Sequence, residues 1–195
     1  EPYFAAPNGN ELWCMMLEKA MAKVFGSYSD LHGGTSSAAF RALTGEKQQA
    51  RWTKNARQAW EKSTLVDGET NKFMATRSSQ DSKTADELFE HLRACDRDNF
   101  LMASSISGGM EKERADGLVE GHAYSVLQVL DVQLDSGERL RMLKLRNPWG
   151  NDKEWKGRWR DGDPMWSKYP ALQKQLRPLF MDDGIFWMEF EDFAR

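Results

Sequence analysis

Residues 122–150 read HAYSVLQVLDVQLDSGERLRMLKLRNPWG, and this stretch decides the fold. Two runs rich in apolar residues flank the turn signal Ser136-Gly137, a pattern that predicts a β-hairpin. Paired residue numbers in a hairpin add up to a constant, and the midpoint between His122 and Asn147 falls beside this turn. The sequence therefore predicts an imidazole next to a carboxamide at the open end of the hairpin.

The pairing of His122 with Asn147 points to a specific chemistry. A His oriented by an Asn is the general acid–base part of a Cys–His–Asn nucleophilic site. The ring must keep one tautomer and one orientation, and an Asn oxygen that accepts from a ring N–H secures both without adding charge. The alternative is that His122 is structural, which is the commoner role of a lone His at a strand end.

The rest of the chain alternates helical and extended patterns. It predicts a helix from an Asn10 N-cap to Phe25, a surface helix over 46–62, a turn at Asp67-Gly68, a helix opened by a Thr84/Glu87 capping box, and strands over 100–106 and 185–190. We therefore expect an α+β fold in which antiparallel β-sheets are flanked by helices.

Composition argues against several functional classes. The chain has 195 residues, of which 40% are hydrophobic and 29% are charged, so it can bury a core. The net charge of -3, with no long basic run, predicts that neither nucleic acid nor an anionic membrane surface is a partner. No apolar run approaches the roughly 18 residues of a membrane span.

Cys14 and Cys95 are the two cysteines of the chain. So few cysteines predict no disulfide framework and favour a reducing, intracellular (cytoplasmic) location. Cys14 lies one turn into a predicted amphipathic helix and Cys95 on a predicted buried helical face, so we expect both to be packing residues. We interpret His32 and His91 as surface or capping residues that have no Cys, Asp or His partner at ligand spacing.

Five blocks of sequence, in order along the chain, resemble the core of the calpains, a branch of the papain-like cysteine proteases. They are 11–34, the His block 116–124, the Asn block 146–150, the run Glu154-Trp155, Gly157, Trp159 and Asp161, and the closing block 183–193. The resemblance covers nearly the whole chain, although His32 stands where the family pattern has Ser. It implies the tail of the first protease subdomain over 1–35 and the second protease subdomain over 36–195.

The resemblance also implies roles for single residues. His122 would be the general acid–base, Asn147 would orient it, and Trp149 would shield the pair from water; a plain core Trp is the alternative. The nucleophilic Cys and the oxyanion donors would lie upstream of Glu1, in the first subdomain, which would then be an obligatory partner.

Two glycine positions correspond to those whose backbones bind an extended substrate peptide in the family. They are Gly34 (or Gly33) and Gly121, and glycine suits this task because it lets another backbone approach closely. The alternative for Gly33-Gly34 is a simple turn.

Calpains also carry a calcium site in this half of the core. Glu154, Asp161, Asp183 and the backbone carbonyl of Met181 correspond to its ligands, and oxygen is what Ca2+ prefers. The family pattern has a further acid where this chain has Ile185, and one residue fewer before Glu154. The alternative is that these acids lie on a solvated loop.

These residues support three functional hypotheses. The first is the His/Asn half of a calpain-like intracellular cysteine endopeptidase, which cleaves protein substrates by acyl transfer, is inactive as this piece alone, and is regulated by calcium. The second is a non-catalytic calpain-like module with a binding or regulatory role. The third is a Trp-rich domain that binds peptides or sugars, which needs Trp155, Trp159 and Trp166 to be exposed.

Overall fold

A computed structural model describes residues 4–7, 9–67, 72–75, 81–134 and 136–195. The helices are α1 (Trp13–Phe25), α2 (Ser36–Thr44), α3 (Ala85–Arg97), α4 (Pro164–Lys168), α5 (Pro170–Leu176) and α6 (Phe190–Phe193), with a 3-10 turn at Ser29–Leu31. The strands are β1 (Ala50–Lys54), β2 (Trp60–Asp67), β3 (Lys72–Ala75), β4 (Ser82–Lys83), β5 (Met102–Ser105), β6 (Lys112–Glu113), β7 (Val119–Glu120), β8 (Ala123–Gln133), β9 (Arg139–Arg146) and β10 (Ile185–Glu189).

The chain forms two compact units. One comprises Glu1–Trp52 with Lys62–Arg77, and the other comprises Thr53–Glu61 with Ser78–Arg195. Strands β2 to β10 each pair antiparallel with a neighbour, so the expected α+β class with antiparallel sheets and helices is confirmed. The division at residue 35 stays a prediction. In the part of the chain that the structure describes, no helix has the length and apolar character to cross a membrane.

The predicted hairpin is confirmed as the centre of a four-stranded sheet with the order β10-β9-β8-β5. β8 pairs with β9 from Gln133↔Arg139 down to Ser125↔Arg146, with a bulge between Val126 and Gln128. Buried residues alternate along β8, and the bulge shifts the phase of that alternation by one residue. The hairpin thus keeps its core face inward along its whole length. At its open end it brings together the residue before β8 and the residue after β9.

An apolar cluster packs the far end of this sheet against α4 and α5. Its buried members are Val132, Leu134, Leu140, Met142, Trp159, Trp166, Leu172, Leu176 and Trp187. The Trp159 and Trp166 rings meet edge to face, with centroids 4.8 Å apart. Because this cluster lies on the hairpin, it makes the hairpin a rigid support for the residues at its open end.

The predicted helix over 46–62 is wrong, because β1 and β2 occupy this segment. Its apolar residues happen to fall at helical spacing, but the turn between the strands overrides that pattern. The Asn55 side-chain oxygen accepts from the backbone N–H of Arg57 (2.9 Å) and of Ala59 (3.1 Å), and Gln58 adopts a left-handed φ of 64°. A local Asx-type turn of this kind reverses the chain and cannot be read from hydrophobic period alone.

Helix α1 also departs from expectation at its start and on its apolar face. It begins at Trp13 with Leu12 as N-cap and no capping side chain, so the predicted Asn10 cap is wrong. Trp13 and Met16 on the apolar stripe are 62% and 64% exposed, whereas Glu18 is buried and accepts from two backbone N–H groups. The Thr84/Glu87 capping box of α3 is confirmed. The turn predicted at Asp67-Gly68 lies partly outside the described residues.

Candidate active site

The open end of the β8–β9 hairpin holds His122 and Asn147 in direct contact. His122 lies one residue before β8 and Asn147 one residue after β9. The His122 Nε2 and Asn147 Oδ1 atoms are 2.8 Å apart, a hydrogen bond, so the predicted contact is confirmed. The predicted register is wrong, because the ladder ends with Ser125 opposite Arg146, two residues out of the register that would place His122 directly opposite Asn147. His122 is 7% exposed and Asn147 is fully buried, so this bond lies in a largely dry environment.

The orientation of the Asn147 amide is determined by its other bonds. Its Nδ2 donates to the Lys153 carbonyl at 2.9 Å, and its Oδ1 accepts from the Trp149 backbone N–H at 3.0 Å. The oxygen therefore faces His122, and Nε2 must donate to it. The Asn147 backbone N–H donates to the Gly184 carbonyl at 2.8 Å, which ties the loop after β9 to the start of β10.

Two aromatic rings wall the His122 imidazole. The Trp149 ring lies against it with centroids 4.4 Å apart and is 44% exposed, so it stands between the imidazole and solvent. Tyr124 meets the imidazole edge to face at 5.2 Å, and its hydroxyl accepts from the Val119 backbone N–H. Burial raises the pKa of the Tyr124 phenol, which keeps it neutral beside the ring.

The second ring nitrogen of His122 is bound by a residue that sequence reasoning missed. Glu111 Oε1 lies 2.7 Å from His122 Nδ1. Glu111 belongs to the polar loop before β6, and nothing in its local sequence distinguishes it from the neighbouring charged residues. Only the folded chain, in which this loop crosses the start of β8, brings the carboxylate to the ring.

The two predicted substrate-binding glycines have different surroundings. Gly121 has φ +68°, and a Cβ there would lie 3.2 Å from the Met110 carbonyl carbon and oxygen. The backbone of another segment thus already approaches Gly121 closely. Gly34 immediately precedes Thr35, the N-cap of α2, and a Cβ there would meet nothing within 4 Å. Both roles in substrate binding stay predictions.

The acidic residues predicted to bind calcium each use one carboxylate oxygen to accept from a backbone N–H. Glu154 accepts from Gly184 (2.7 Å), Asp161 from Met181 (3.0 Å) and Asp183 from Ile185 (2.9 Å). Glu154 and Asp161 precede α4 and Asp183 follows α5, so the first two bonds join the two segments that flank these helices. These two segments together are called the acidic loop.

Burial and mutual repulsion make two of these carboxylates weak acids. Burial is the main cause that raises the pKa of Glu154 to about 7, and the charges of Asp161, Asp183 and Asp182 add to it. The pKa of Asp161 is raised to about 6, again by burial first and then by Asp183 and Asp182. A bound cation relieves this kind of repulsion, so the donor chemistry fits calcium.

The geometry of the acidic loop fits calcium less completely than its chemistry. Across the described ranges, no group of three or more His, Cys, Asp or Glu side chains converges closely enough to hold a metal ion. The backbone carbonyl of Met181 accepts from the Asp183 N–H at 2.8 Å.

Two of the four tryptophans between β9 and β10 are core residues. Trp159 and Trp166 are 0% and 1% exposed, and their Nε1–H groups donate to Glu189 and to the Arg160 carbonyl. They cannot serve as exposed aromatics that grip a ligand, so the hypothesis of a Trp-rich binding domain loses two of its three residues.

Neither cysteine forms a disulfide within the described part of the chain. Cys14 lies in α1 and Cys95 in α3. Burial raises the pKa of the Cys95 thiol, which disfavours the reactive thiolate. The expectation that His91 lacks a Cys partner is wrong, because the Cys95 Sγ and the His91 Nε2 are 3.8 Å apart on successive turns of α3.

Comparison with known proteins identifies the family. The family model described as calpain family cysteine protease matches residues 1–195. This chain belongs to the calpain family. Among curated calpains, Calpain clp-4 of Caenorhabditis elegans is 34% identical over 195 residues, which are 98% of this chain and 23% of that protein.

Mammalian calpains show a similar degree of identity. Calpain-5 of Mus musculus is 35% identical over 205 residues, covering 99% of this chain and 29% of that protein. The Calpain-1 catalytic subunit of Rattus norvegicus is 36% identical over 191 residues, covering 96% of this chain and 23% of that protein. The chain thus spans less than a third of the length of each of these calpains.

Proposed function

We propose that the full-length protein is a calpain-type cysteine endopeptidase and that this chain supplies its general acid–base and orienting residues. The observation that carries the proposal is the buried 2.8 Å bond between His122 Nε2 and Asn147 Oδ1. It is supported by membership of a family of cysteine proteases. Protein substrates, cleaved at internal peptide bonds, belong to the same proposal.

The roles of the site residues follow from which ring nitrogen is already used. Asn147 holds Nε2, so the nucleophile would pair with Nδ1, which contacts Glu111 in this structure. A thiol from the first subdomain would pass its proton to Nδ1, and the imidazolium would later return that proton to the leaving amine. Trp149 would keep water from the His122–Asn147 bond, which strengthens that bond.

The subdomain assignment is part of this proposal. Residues 1–35 would end the first protease subdomain, and residues 36–195 would form the second. The nucleophile and the oxyanion donors would then come from the segment before Glu1, and Gly34 and Gly121 would bind the substrate backbone from the two subdomains. The few, unpaired cysteines favour a reducing compartment for the protein.

The test uses the full-length protein and its His122→Ala variant. The residue about 130–150 positions before His122 should be a Cys followed by Trp. We expect casein hydrolysis by the wild type and a loss of at least about 1,000-fold on His122→Ala. Another residue in the place of the Cys, together with inert wild type, contradicts catalysis and leaves the non-catalytic binding module as the function. Hydrolysis by the 195-residue chain alone would contradict the role given to the first subdomain.

We also propose that calcium binds the acidic loop through Glu154, Asp161, Asp183 and the Met181 carbonyl. The mutual repulsion of these carboxylates supports it, since a divalent cation relieves that repulsion. Calorimetric titration of the full-length protein and its Asp161→Asn variant with CaCl2 tests the site. Loss of one binding event in the variant is the expected result, and identical isotherms would contradict the proposal. The Ile185→Asp variant, which restores the family acid, should bind more tightly.

A further inference from the structure

Glu111 occupies the His122 nitrogen that catalysis needs. The imidazole has two ring nitrogens, and the folded chain binds both of them: Nε2 contacts Asn147 at 2.8 Å and Nδ1 contacts Glu111 at 2.7 Å. A Cys–His–Asn site needs one of the two for its thiol. With Glu111 in place, no ring nitrogen is left for that thiol.

The protons on the ring lead to the same conclusion. The Asn147 amide is oriented by Lys153 and Trp149, so its oxygen can only accept, and Nε2 must donate. A carboxylate also accepts, so the 2.7 Å contact with Glu111 places an acceptor at Nδ1 as well. The ring nitrogen that a thiol would use is thus already occupied by another hydrogen-bond partner. The carboxylate thus takes the part of a thiolate, since both are anions that accept from the same N–H.

The backbone of the same loop covers the neighbouring glycine. A Cβ on Gly121 would lie 3.2 Å from the Met110 carbonyl and 3.5 Å from the Glu111 N. A Cβ on Gly108 would lie 2.7 Å from the Gly121 N. The loop is therefore seated against the start of β8, and its position does not depend on the Glu111 side chain alone.

The bond to His122 is nevertheless easy to release. The Glu111 side chain is 50% exposed, whereas that of His122 is 6% exposed, so Glu111 can turn into water while His122 stays in place. Two residues further on, Glu113 pairs with Lys153 (2.9 Å) and Lys156 (3.1 Å). This second contact anchors β6 when the Glu111 side chain moves.

We propose that Glu111 is an internal competitor of the nucleophile, an autoinhibitory contact that must leave His122 Nδ1 before the thiol can pair with it. This proposal rests on the proposed cysteine-protease function. In the resting protein Glu111 holds the imidazole, and in the active protein the thiolate replaces the carboxylate. The exchange is one of hydrogen-bond partners and makes or breaks no covalent bond.

The test is carried out in the full-length protein with Glu111→Gln and Glu111→Ala. Glutamine keeps the shape and removes the charge, and alanine removes the contact. We expect kcat/KM on a fluorogenic peptide and the rate of alkylation of the nucleophilic thiol by iodoacetamide to rise about threefold or more in both variants. The exposed Glu138, at the β8–β9 turn, provides the matched control, because Glu138→Gln removes the same charge and should change neither rate.

Each outcome separates this proposal from the proposed function. Unchanged or lower rates in both variants, with activity still abolished by His122→Ala, would overturn the competitor role and leave the protease intact. If the wild type and all variants are inert, the protease function fails. A crystal structure of the full-length protein then decides the contact itself. A Glu111–His122 separation near 2.7 Å supports competition for Nδ1, and one beyond about 4 Å overturns it.

Discussion

The His122–Asn147 pair and the acidic loop of Glu154, Asp161 and Asp183 meet at one residue. Gly184 accepts from the Asn147 N–H through its carbonyl and donates to Glu154 through its own N–H. On one side of this glycine the polar groups are matched donor to acceptor. On the other side burial, and then the charges of neighbouring carboxylates, raise the pKa values of Glu154 and Asp161.

The difference shows how sequence distance affects a site. His122 and Asn147 are 25 residues apart, but they flank the two strands of one hairpin and meet at its open end. The acids lie outside the strands, in the segments before α4 and after α5, so no ladder fixes their separations. The hairpin therefore fixes the distance between His122 and Asn147, whereas the acidic loop brings several carboxylates into one region without fixing the distances between them.

The largest effect is expected from disrupting the His122–Asn147 hydrogen bond. Asn147→Ala removes the acceptor of His122 and leaves the Lys153 carbonyl and the Trp149 N–H without their partner. We expect kcat of the full-length protein to fall about 1,000-fold and the free energy of unfolding to fall by about 2–4 kcal/mol. Gln175→Ala removes an exposed amide and should change neither. Activity within tenfold of wild type would show that His122 is oriented by something else.

A second test changes Gly184, which links Asn147 to Glu154. In Gly184→Ala, a Cβ would lie 2.4 Å from the Asn147 carbonyl oxygen, at a φ of +81°. Gly137 has a similar φ of +86° but open space around it, so Gly137→Ala measures the conformational cost alone. We expect about 1 kcal/mol from Gly137→Ala and about 2–3 kcal/mol more from Gly184→Ala, measured by urea unfolding. Equal losses would show that Gly184 does not crowd Asn147.

The acidic side predicts a dependence of stability on pH. The pKa of Glu154 is raised from 4.5 to about 7 in the folded protein, so the folded state binds this proton more tightly than the unfolded state. The resulting stabilisation is complete below about pH 4.5 and is lost as pH rises through 7. In calcium-free buffer, Glu154→Gln should remove on the order of 1–2 kcal/mol of difference in unfolding free energy between pH 5 and pH 8.

The control for this pH effect is Glu138→Gln, an exposed carboxylate remote in sequence from the loop. It should leave the pH profile as in the wild type. A profile of Glu154→Gln that overlays the wild type would contradict the raised pKa. Saturating calcium should flatten the wild-type profile if the acids bind it, because a cation favours the ionised carboxylates.

The smallest effect is expected from changing Trp149, whose ring covers the His122–Asn147 pair. The Trp149 and His122 ring centroids are 4.4 Å apart. Trp149→Phe keeps an aromatic ring against the imidazole but covers less of it. We expect kcat of the full-length protein to fall about two- to fivefold with KM nearly unchanged. A larger loss, or one confined to KM, would show that Trp149 contacts substrate instead of shielding the bond.

Patterns that depend on neighbouring residues were predictable from sequence. The β8–β9 hairpin, the capping box of α3 and the contact of His122 with Asn147 each follow from a local or two-strand rule. The helix over 46–62 was not predictable, because the Asn55 turn competes with an apolar spacing that suits a helix equally well. The period of the apolar residues alone cannot distinguish a helix from strands whose partners lie elsewhere in the sequence.

By itself, the sequence determined the family, the hairpin and the pair at its end, because two strands that share one turn bring residues 122 and 147, at their outer ends, close together. Only the tertiary structure decided that Glu111 binds the second ring nitrogen of His122 and that Gly184 links Asn147 to Glu154. Those contacts join segments whose approach depends on loop paths, and loop paths are set by the packing of the whole chain. A single carboxylate in a polar loop carries no local signal of the ring that it will meet.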